Sequence, residues 1–307
     1  MKRIKSFDNS HPVLYLIATP IGNLGEFSPR ALEVIREIDL IAAEDTRNTG
    51  DLLAKFNIKK PLVSLREHNE IEASQDLIRQ IKEGKKVAYM SDAGYPGISD
   101  PGYLLTKLAL ENDIAVSAIS GSCAFINALV RSGLDTSHFY FHGFLSAKDS
   151  EMKAELETLK DKPETLIFYE SPHRILRTLE NMFEVLGDRQ ASLQRELTKL
   201  NEENIFGTLG ELSKLEPTSL KGEMVIVVEG FKGDKSSLTD EEILDLAETF
   251  LKRGISKKDT IEIISKAYNI RKNYLKDLIK ELINLEIRNC LFYHRKDFFN
   301  LGGDYGT

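Results

Sequence analysis

The twelve residues Ser91 to Gly102 (SDAGYPGISDPG) carry three glycines and two prolines and directly follow the apolar run Val87–Met90. That density of glycine and proline fixes an irregular backbone with little side-chain bulk, so a ligand can lie on main-chain N–H and C=O groups. A simple turn needs about four residues, so this loop is longer than chain reversal requires. Three other clusters carry reactive groups. Glu44-Asp45-Thr46-Arg47 brings two carboxylates and a guanidinium together, although Asp45 or Thr46 would equally serve as a helix cap. Glu67-His68 offers proton-transfer groups, while a lone loop histidine is more often simply solvated. Ser120-Gly121-Ser122-Cys123-Ala124 opens a helix with small residues whose free N–H groups can take a carboxylate or polar edge. Further along, Tyr169-Glu170-Ser171-Pro172-His173-Arg174 reads either as a ligand loop or as a helix start capped by Ser171, and Arg195-Glu196-Leu197-Thr198-Lys199 either as a site or as exposed ion pairs.

The elements that must position these loops alternate along the chain. Apolar runs at Val13–Ala18, Ile38–Ala43, Pro61–Leu65, Val87–Met90 and Ile114–Ile119 are separated by helical patterns near Pro29–Glu37, Thr46–Phe56, Ile71–Glu83, Tyr103–Glu111 and Cys123–Ser132. Such alternation predicts βαβ units on a parallel sheet, with ligands beyond the carboxyl ends of the strands. After Gly133-Leu134-Asp135 a second set follows: strands at Phe139–Phe144, Thr165–Tyr169, Ala191–Leu193 and Met224–Val228, with helices near Ser150–Asp161 and Pro172–Leu186. These predict a mixed sheet. The polar stretch Gly230–Ser237 reads as a linker, and the rest as helical. The predicted domains are therefore α/β over 12–134, α/β over 135–231, and a small helical domain over 238–293.

Composition narrows the function classes. With 41 basic and 48 acidic residues the net charge is −7, so nucleic acid would have to bind at a local basic patch. No apolar run approaches the ~20 residues of a membrane span, and the basic Lys2, Arg3 and Lys5 precede an apolar run too short for a signal peptide. A cytoplasmic protein is expected. Cys123 and Cys290 have no CxxC spacing, which points to neither a disulfide framework nor a metal site. The first loop, Ala18 to Gly25, lacks both GxGxxG and the P-loop lysine pattern.

Several strings in order, LYLIATPIGNLG (14–25), SPRAL (28–32), AAEDTR (42–47), EHNE (67–70), the 91–102 loop, TLIFYESPHR (165–174), RELTK (195–199) and KGEMVIVVEG (221–230), resemble the small-subunit ribosomal RNA methyltransferases of the tetrapyrrole methylase superfamily. The likeness covers about residues 12–231, and the tail is similar to that family's C-terminal domain. It implies the two-domain α/β tetrapyrrole methylase (class III methyltransferase) fold with a small helical domain. It also implies S-adenosylmethionine as cofactor, 16S rRNA in the 30S subunit as partner, a homodimer, and methylation of a cytidine ribose 2′-oxygen in the decoding region. The alternatives are a small-molecule tetrapyrrole methylase and a non-catalytic protein that binds S-adenosylmethionine or RNA. On this reading the cofactor lies on Ile21, Asp92, Gly94, Pro96, Ile98, Ser122, Cys123 and Ala124 from one side and on Tyr169 and Met224 from the other. His68, whose ordinary pKa of about 6.5 suits neutral pH, leads Glu44 and Asp45 as the candidate base. Arg47 and Arg195 are candidates to hold phosphates.

The chain also departs from that family. Ser120 and Ser122 stand where prolines are usual, Tyr95 where threonine is, and Asn48 and Arg66 where histidines are frequent. Without the prolines the 120–123 loop is expected to be less preorganised, and the Tyr95 phenol is expected to narrow the pocket. In the tail, helical spacing over 240–252, 257–267 and 271–283, with a turn at Asn269-Ile270-Arg271, resembles a helix-turn-helix. Lys272, Lys276 and Lys280 fall four residues apart on one face, either solvated or set against RNA phosphates.

Overall fold

A computed structural model describes residues 12–216, 220–232, 239–268, 270 and 272–280. Cys290, the basic N-terminal residues Lys2, Arg3 and Lys5, linker residues 233–237, Asn269, Arg271 and the tail beyond 280 lie outside the described residues. The chain forms two compact units, 1–231 and 232–307.

The first unit begins with a fully parallel sheet of β1 (Val13–Ile17), β2 (Leu40–Ala43), β3 (Leu62–Ser64), β4 (Val87–Met90) and β5 (Ala115–Ile119), in the order β3-β2-β4-β1-β5. Its strands read as continuous apolar runs because helices cover both faces. On one face α1 (Pro29–Glu37) and α2 (Thr46–Ala54) bury Ile35 and Leu53 against Ile17, Ile41 and Met90. On the other, α3 (Glu70–Lys82) and α4 (Tyr103–Glu111) bury Leu77, Ile81 and Leu105 against Leu14, Ala42 and Tyr89. Each such aliphatic side chain contributes roughly 1.5–3 kcal/mol on burial. Caps set the helix starts: the Ser28 side chain accepts from the Ala31 N–H at 3.1 Å with Pro29 in the first turn of α1, and Asp45 accepts from the Arg47 N–H at 2.8 Å to open α2. α4 has no cap of its own. Glu70 on α3 supplies it, its Oε1 accepting the N–H groups of Gly102 (2.8 Å) and Leu104 (3.2 Å).

The second sheet is mixed, as its sequence suggests. It comprises β6 (Phe139–Phe144), β7 (Thr165–Glu170), β8 (Gln190–Arg195), β9 (Glu203–Thr208) and β10 (Met224–Val228), ordered β6-β7-β10-β8-β9 with β6 and β7 alone parallel. α6 (Asp149–Leu159), α7 (Ile175–Leu186) and the short α8 (Leu209–Leu212) cover one face. α5 (Ala124–Arg131) covers the other, where Ala128 and Leu129 pack against Ile167, Val225 and Val227. Since α5 leaves the end of β5 and lies on the second sheet, it joins the two sheets through one apolar cluster that also includes Ile21 and Leu197.

Neither β9 nor α8 was expected from the sequence. β9 is an edge strand in which Ile205 and Phe206 are adjacent instead of alternating, and Phe206 is exposed. β8 extends beyond the expected Ala191–Leu193 and takes in the buried Gln194, whose Nε2 donates to the Ala128 carbonyl (2.9 Å) and Ser192 Oγ (3.1 Å). α7 starts at Ile175, and Ser171 is not its cap. The second unit holds α9 (Asp240–Lys252), α10 (Lys257–Tyr268) and a helix over 272–280, packed through Ile243, Ala247, Ile261, Ile264, Leu275 and Ile279.

Candidate functional site

A cavity of about 550 Å³ opens where the carboxyl ends of β1, β4 and β5 face the ends of β6, β7 and β8 and the start of β10. That size suits a small organic ligand. From the first sheet come Ile21, Ala93, Tyr95, Ile98, Ser99 and Asp100, with Cys123 and Ala124 at the start of α5. From the second come Phe144, Tyr169 to Pro172, Glu196, Leu197, Lys199 and the segment 222–225, including Met224. The walls are largely apolar, with charged groups at a few points. Of the residues named from the sequence for the cofactor, Ile21, Ile98, Cys123, Ala124, Tyr169 and Met224 line this cavity.

Gly94, Pro96, Ser122 and Asp92 stand outside the lining. Gly94 lies behind it, paired with Thr19: the Thr19 N–H donates to the Gly94 carbonyl at 2.9 Å and the Gly94 N–H returns a bond at 3.1 Å. Its φ of +79° is open to glycine and strained for other residues. Pro96 is buried. Ser122 turns away, its hydroxyl donating to Glu26 at 2.6 Å. The Gly121 N–H donates to the Tyr95 phenol oxygen at 3.2 Å. The 120–123 loop is thus tied from two directions by side chains.

Asp92 joins a second group instead. Its carboxylate accepts from the Asp45 N–H (3.2 Å) and from Asn48 Nδ2 (2.6 Å), while its own N–H donates to Glu44 Oε2 (3.2 Å). Arg66 donates to the Glu44 carbonyl at 2.9 Å and pairs with Asp45 at 3.5 Å. The N–H of Arg47, followed by its guanidinium, holds the Asp45 carboxyl below the usual range. Glu44, Asp45, Arg47 and Asp92 therefore form one network at the ends of β2 and β4. Asp92 and Asn48 border a separate hollow of about 320 Å³. His68 is exposed on the Glu67–Asn69 turn after β3, the edge strand separated from β4 by β2, and is not in the cavity lining.

The loop after β8 carries backbone strain. Glu196 and Thr198 have φ of +51° and +68°, and for the β-branched Thr198 this is a costly conformation. The strain delivers Lys199 to the cavity, where its ammonium bonds Glu196 Oε1 and Glu223 Oε2, both at 3.0 Å. Burial works against the Lys199 charge, but the two carboxylates outweigh it and hold its pKa above the ordinary lysine value. Its stem crosses Gly22, where a Cβ would meet Lys199 Cγ at 2.5 Å. Arg195, offered as a phosphate ligand, is mostly buried and paired with Glu203 at 3.0 Å.

Sequence reasoning did not single out Asp100, Phe144 or Glu223, and it raised Lys199 only within the run 195–199. Asp100 follows Ser99, whose φ is +60°. Burial, reinforced by the carboxylates of Glu44 and Asp92 against a hydrogen bond from Ser91, pushes its carboxyl up to about 7. Burial likewise raises the Tyr169 phenol and the Cys123 thiol. The Asp in the glycine-rich string is visible in the sequence, but its desolvation is a tertiary property. Glu170 is fully committed, accepting from the Ser171 N–H (2.7 Å), Arg174 (3.1 Å) and Thr178 (2.6 Å).

In the second unit, a groove of about 680 Å³ between α10 and the 272–280 helix is lined by Lys257, Lys258, Lys272, Lys276 and Lys280, with Glu262 and Asp277 as the acidic members. Lys272, Lys276 and Lys280 are exposed on one face, as their spacing predicts, while Leu275 and Ile279 are buried on the other. Among the described residues no helix is long and apolar enough to cross a membrane, and no group of three or more His, Cys, Asp or Glu side chains is gathered to hold a metal.

A model of the tetrapyrrole (corrin/porphyrin) methylases matches residues 13–213. Ribosomal RNA small subunit methyltransferase I of Streptococcus pyogenes is 47% identical over 265 residues, spanning 85% of this chain and 92% of that protein. The protein of the same name from Escherichia coli is 42% identical over 279 residues, spanning 90% and 97%. Among solved structures, uroporphyrin-III-C-methyltransferase from Thermus thermophilus superimposes with a TM-score of 0.51 at 19% identity, covering 71% of this chain and 94% of that one. At that identity the shared property is the fold.

Proposed function

This chain belongs to the tetrapyrrole methylase family, in its ribosomal RNA small subunit methyltransferase I branch, and from that premise we propose that it methylates small-subunit ribosomal RNA with S-adenosylmethionine as donor. The target is the ribose 2′-oxygen of a cytidine in the decoding region of 16S rRNA, met in the 30S subunit in the cytoplasm by a homodimer. The observation that carries the reading is the 42–47% identity to two so-named relatives along nearly their whole length.

The cavity fits the donor. Ile21, Ile98, Leu197, Met224 and Val225 offer apolar walls to a nucleoside. Glu196, Lys199 and Glu223 set opposite charges together, complementary to an amino-acid group that carries both an ammonium and a carboxylate. S-adenosylmethionine supplies an electrophilic methyl group on a sulfonium, and the protein's part is to align the acceptor oxygen and receive its proton. Tyr95, Ser122 and Glu26 keep the loop before α5 in place for that alignment. The lysine groove, with five cations against two carboxylates, suits a phosphate backbone.

A small-molecule tetrapyrrole methylase on the same fold would leave the lysine groove without a role. Tritiated donor, undermethylated 30S subunits and mapping of the product decide between the two. Label on a single cytidine 2′-oxygen is the expected result. No label in the RNA, with transfer to a tetrapyrrole, overturns the reading.

A further inference from the structure

We propose that the ring of Phe144 receives the base of the target nucleotide by stacking, once that base has left the RNA, and so brings its ribose to the donor. The inference rests on the RNA 2′-O-methylation reading and assigns within it a contact to the substrate.

Side chains alternate between the faces of a strand, so Phe141 and Phe144, three residues apart on β6, would ordinarily point opposite ways. A bulge between them prevents this. Against β7, Phe141 pairs with Ile167 and Gly143 with Phe168, so two steps on β6 oppose one on β7. Gly143 takes a φ of +85° there, a conformation open to glycine. His142 goes to the face covered by α6 and α7, its ring 5.5 Å from that of Phe168 and its Nε2 3.4 Å from Glu155 of α6. Phe141 and Phe144 then share the other face, and both meet Tyr169 in edge-to-face contact, at 5.0 and 5.5 Å between centroids. Phe141 is covered by Phe125 of α5, stacked at 4.4 Å. Phe144 instead lines the cavity and keeps 56% of its surface exposed.

The other aromatic side chains of the lining are committed. Tyr95 holds the Gly121 N–H, and Tyr169 is packed against both phenylalanines, which leaves Phe144 as the exposed ring among the described lining residues. The end of β6 also lies against the loop after β4, since a Cβ on Gly143 would meet Ser99 Oγ at 3.4 Å. The ring therefore stands at the mouth, where an acceptor must enter to reach a donor held in the cavity. A ribose in stacked, paired RNA cannot enter a recess between two sheets unless its base leaves the stack with it. An unstacked base is commonly held on an aromatic plane. Stacking tolerates any base, so Phe144 supplies position, and the choice of cytidine falls to polar contacts.

The test compares wild type with Phe144→Leu, which keeps apolar bulk but loses the plane, and Phe144→Tyr, which keeps it. Rates are measured on undermethylated 30S subunits and donor binding by calorimetry. The chain has no tryptophan, so Phe144→Trp, made with 5-hydroxytryptophan to stand apart from the subunit's own tryptophans, adds a single fluorophore at the ring's position. Expected are a loss of about 5- to 150-fold in kcat/KM for the subunits in Phe144→Leu, recovery in Phe144→Tyr, and donor affinity within about threefold throughout. S-adenosylhomocysteine alone should leave the emission unchanged, and adding subunits should quench it. A Phe144→Leu enzyme of near wild-type rate, or a Phe144→Tyr enzyme as slow as Phe144→Leu, overturns the assignment and leaves RNA methylation standing. Quenching by S-adenosylhomocysteine alone gives the ring to the donor and overturns it too. A wild type that labels no RNA overturns both readings. Should Phe144→Leu fail to fold, the fluorophore decides, and emission unmoved by subunits refutes the proposal.

Discussion

The Tyr95 phenol oxygen accepts the Gly121 N–H at 3.2 Å, binding the glycine-rich loop after β4 to the loop before α5. A tyrosine in one loop thus holds the backbone of a second loop that has serines at 120 and 122. The restraint comes through a hydrogen bond.

Tyr95→Phe should therefore weaken donor binding while leaving the fold intact. One net hydrogen bond is worth about 1 kcal/mol, so calorimetry should register roughly a fivefold loss of affinity. Unchanged affinity would mean the loop is held by Ser122 and Glu26 alone.

Ile98 lines the cavity and is 41% exposed, so a larger side chain there can be accommodated without disturbing the core. Ile98→Arg places a charge among apolar walls and should abolish measurable donor binding, with the melting temperature shifted by no more than a few degrees. Retained binding would place the donor elsewhere.

Asp100 also leaves a signature in stability. Its folded pKa of about 7 exceeds the ordinary aspartate value, so the folded state binds the proton more tightly than the unfolded chain. Its favourable contribution is complete below about pH 4 and is lost as pH rises through about 7. Asp100→Asn should accordingly melt higher than wild type at pH 8 and gain nothing over it at pH 4, as differential scanning calorimetry can show. An equal shift at both pH values would contradict the raised pKa.

Changing Lys272, Lys276 and Lys280 to Ala should weaken binding to 30S subunits and lower the salt slope by up to ~0.7–0.9 per lost phosphate contact. Adding Lys257→Ala and Lys258→Ala, which border the same groove, should deepen both effects. Donor affinity should not change, since the cavity is built wholly from residues 21–225. A salt slope that survives all five changes would remove the groove from RNA binding.

Much of this was legible in advance because local chemistry decided it. Ser28-Pro29 starts α1 where a cap followed by proline must, and the unbroken apolar runs of β4 and β10 announce burial on both faces. What escaped depends on neighbours distant in sequence. Glu70 ends the EHNE string beside His68, and it caps α4 from 32 residues away. His68 has the right ordinary pKa but follows an edge strand, and strand order is not written in spacing. Asp100 stands in a loop whose composition suits a ligand, but the burial that raises its carboxyl, with the Glu44 and Asp92 carboxylates near it, is set by the tertiary fold.

The Lys199 stem lying across Gly22 bears on how such a chain can change over generations. While position 199 is a lysine held by Glu196 and Glu223, position 22 is closed to every residue with a side chain, and its φ of +154° adds to the bar. A side chain at position 22 meets the lysine stem, and loss of the lysine leaves two carboxylates without their cation, so the choices at two sites 177 residues apart are coupled.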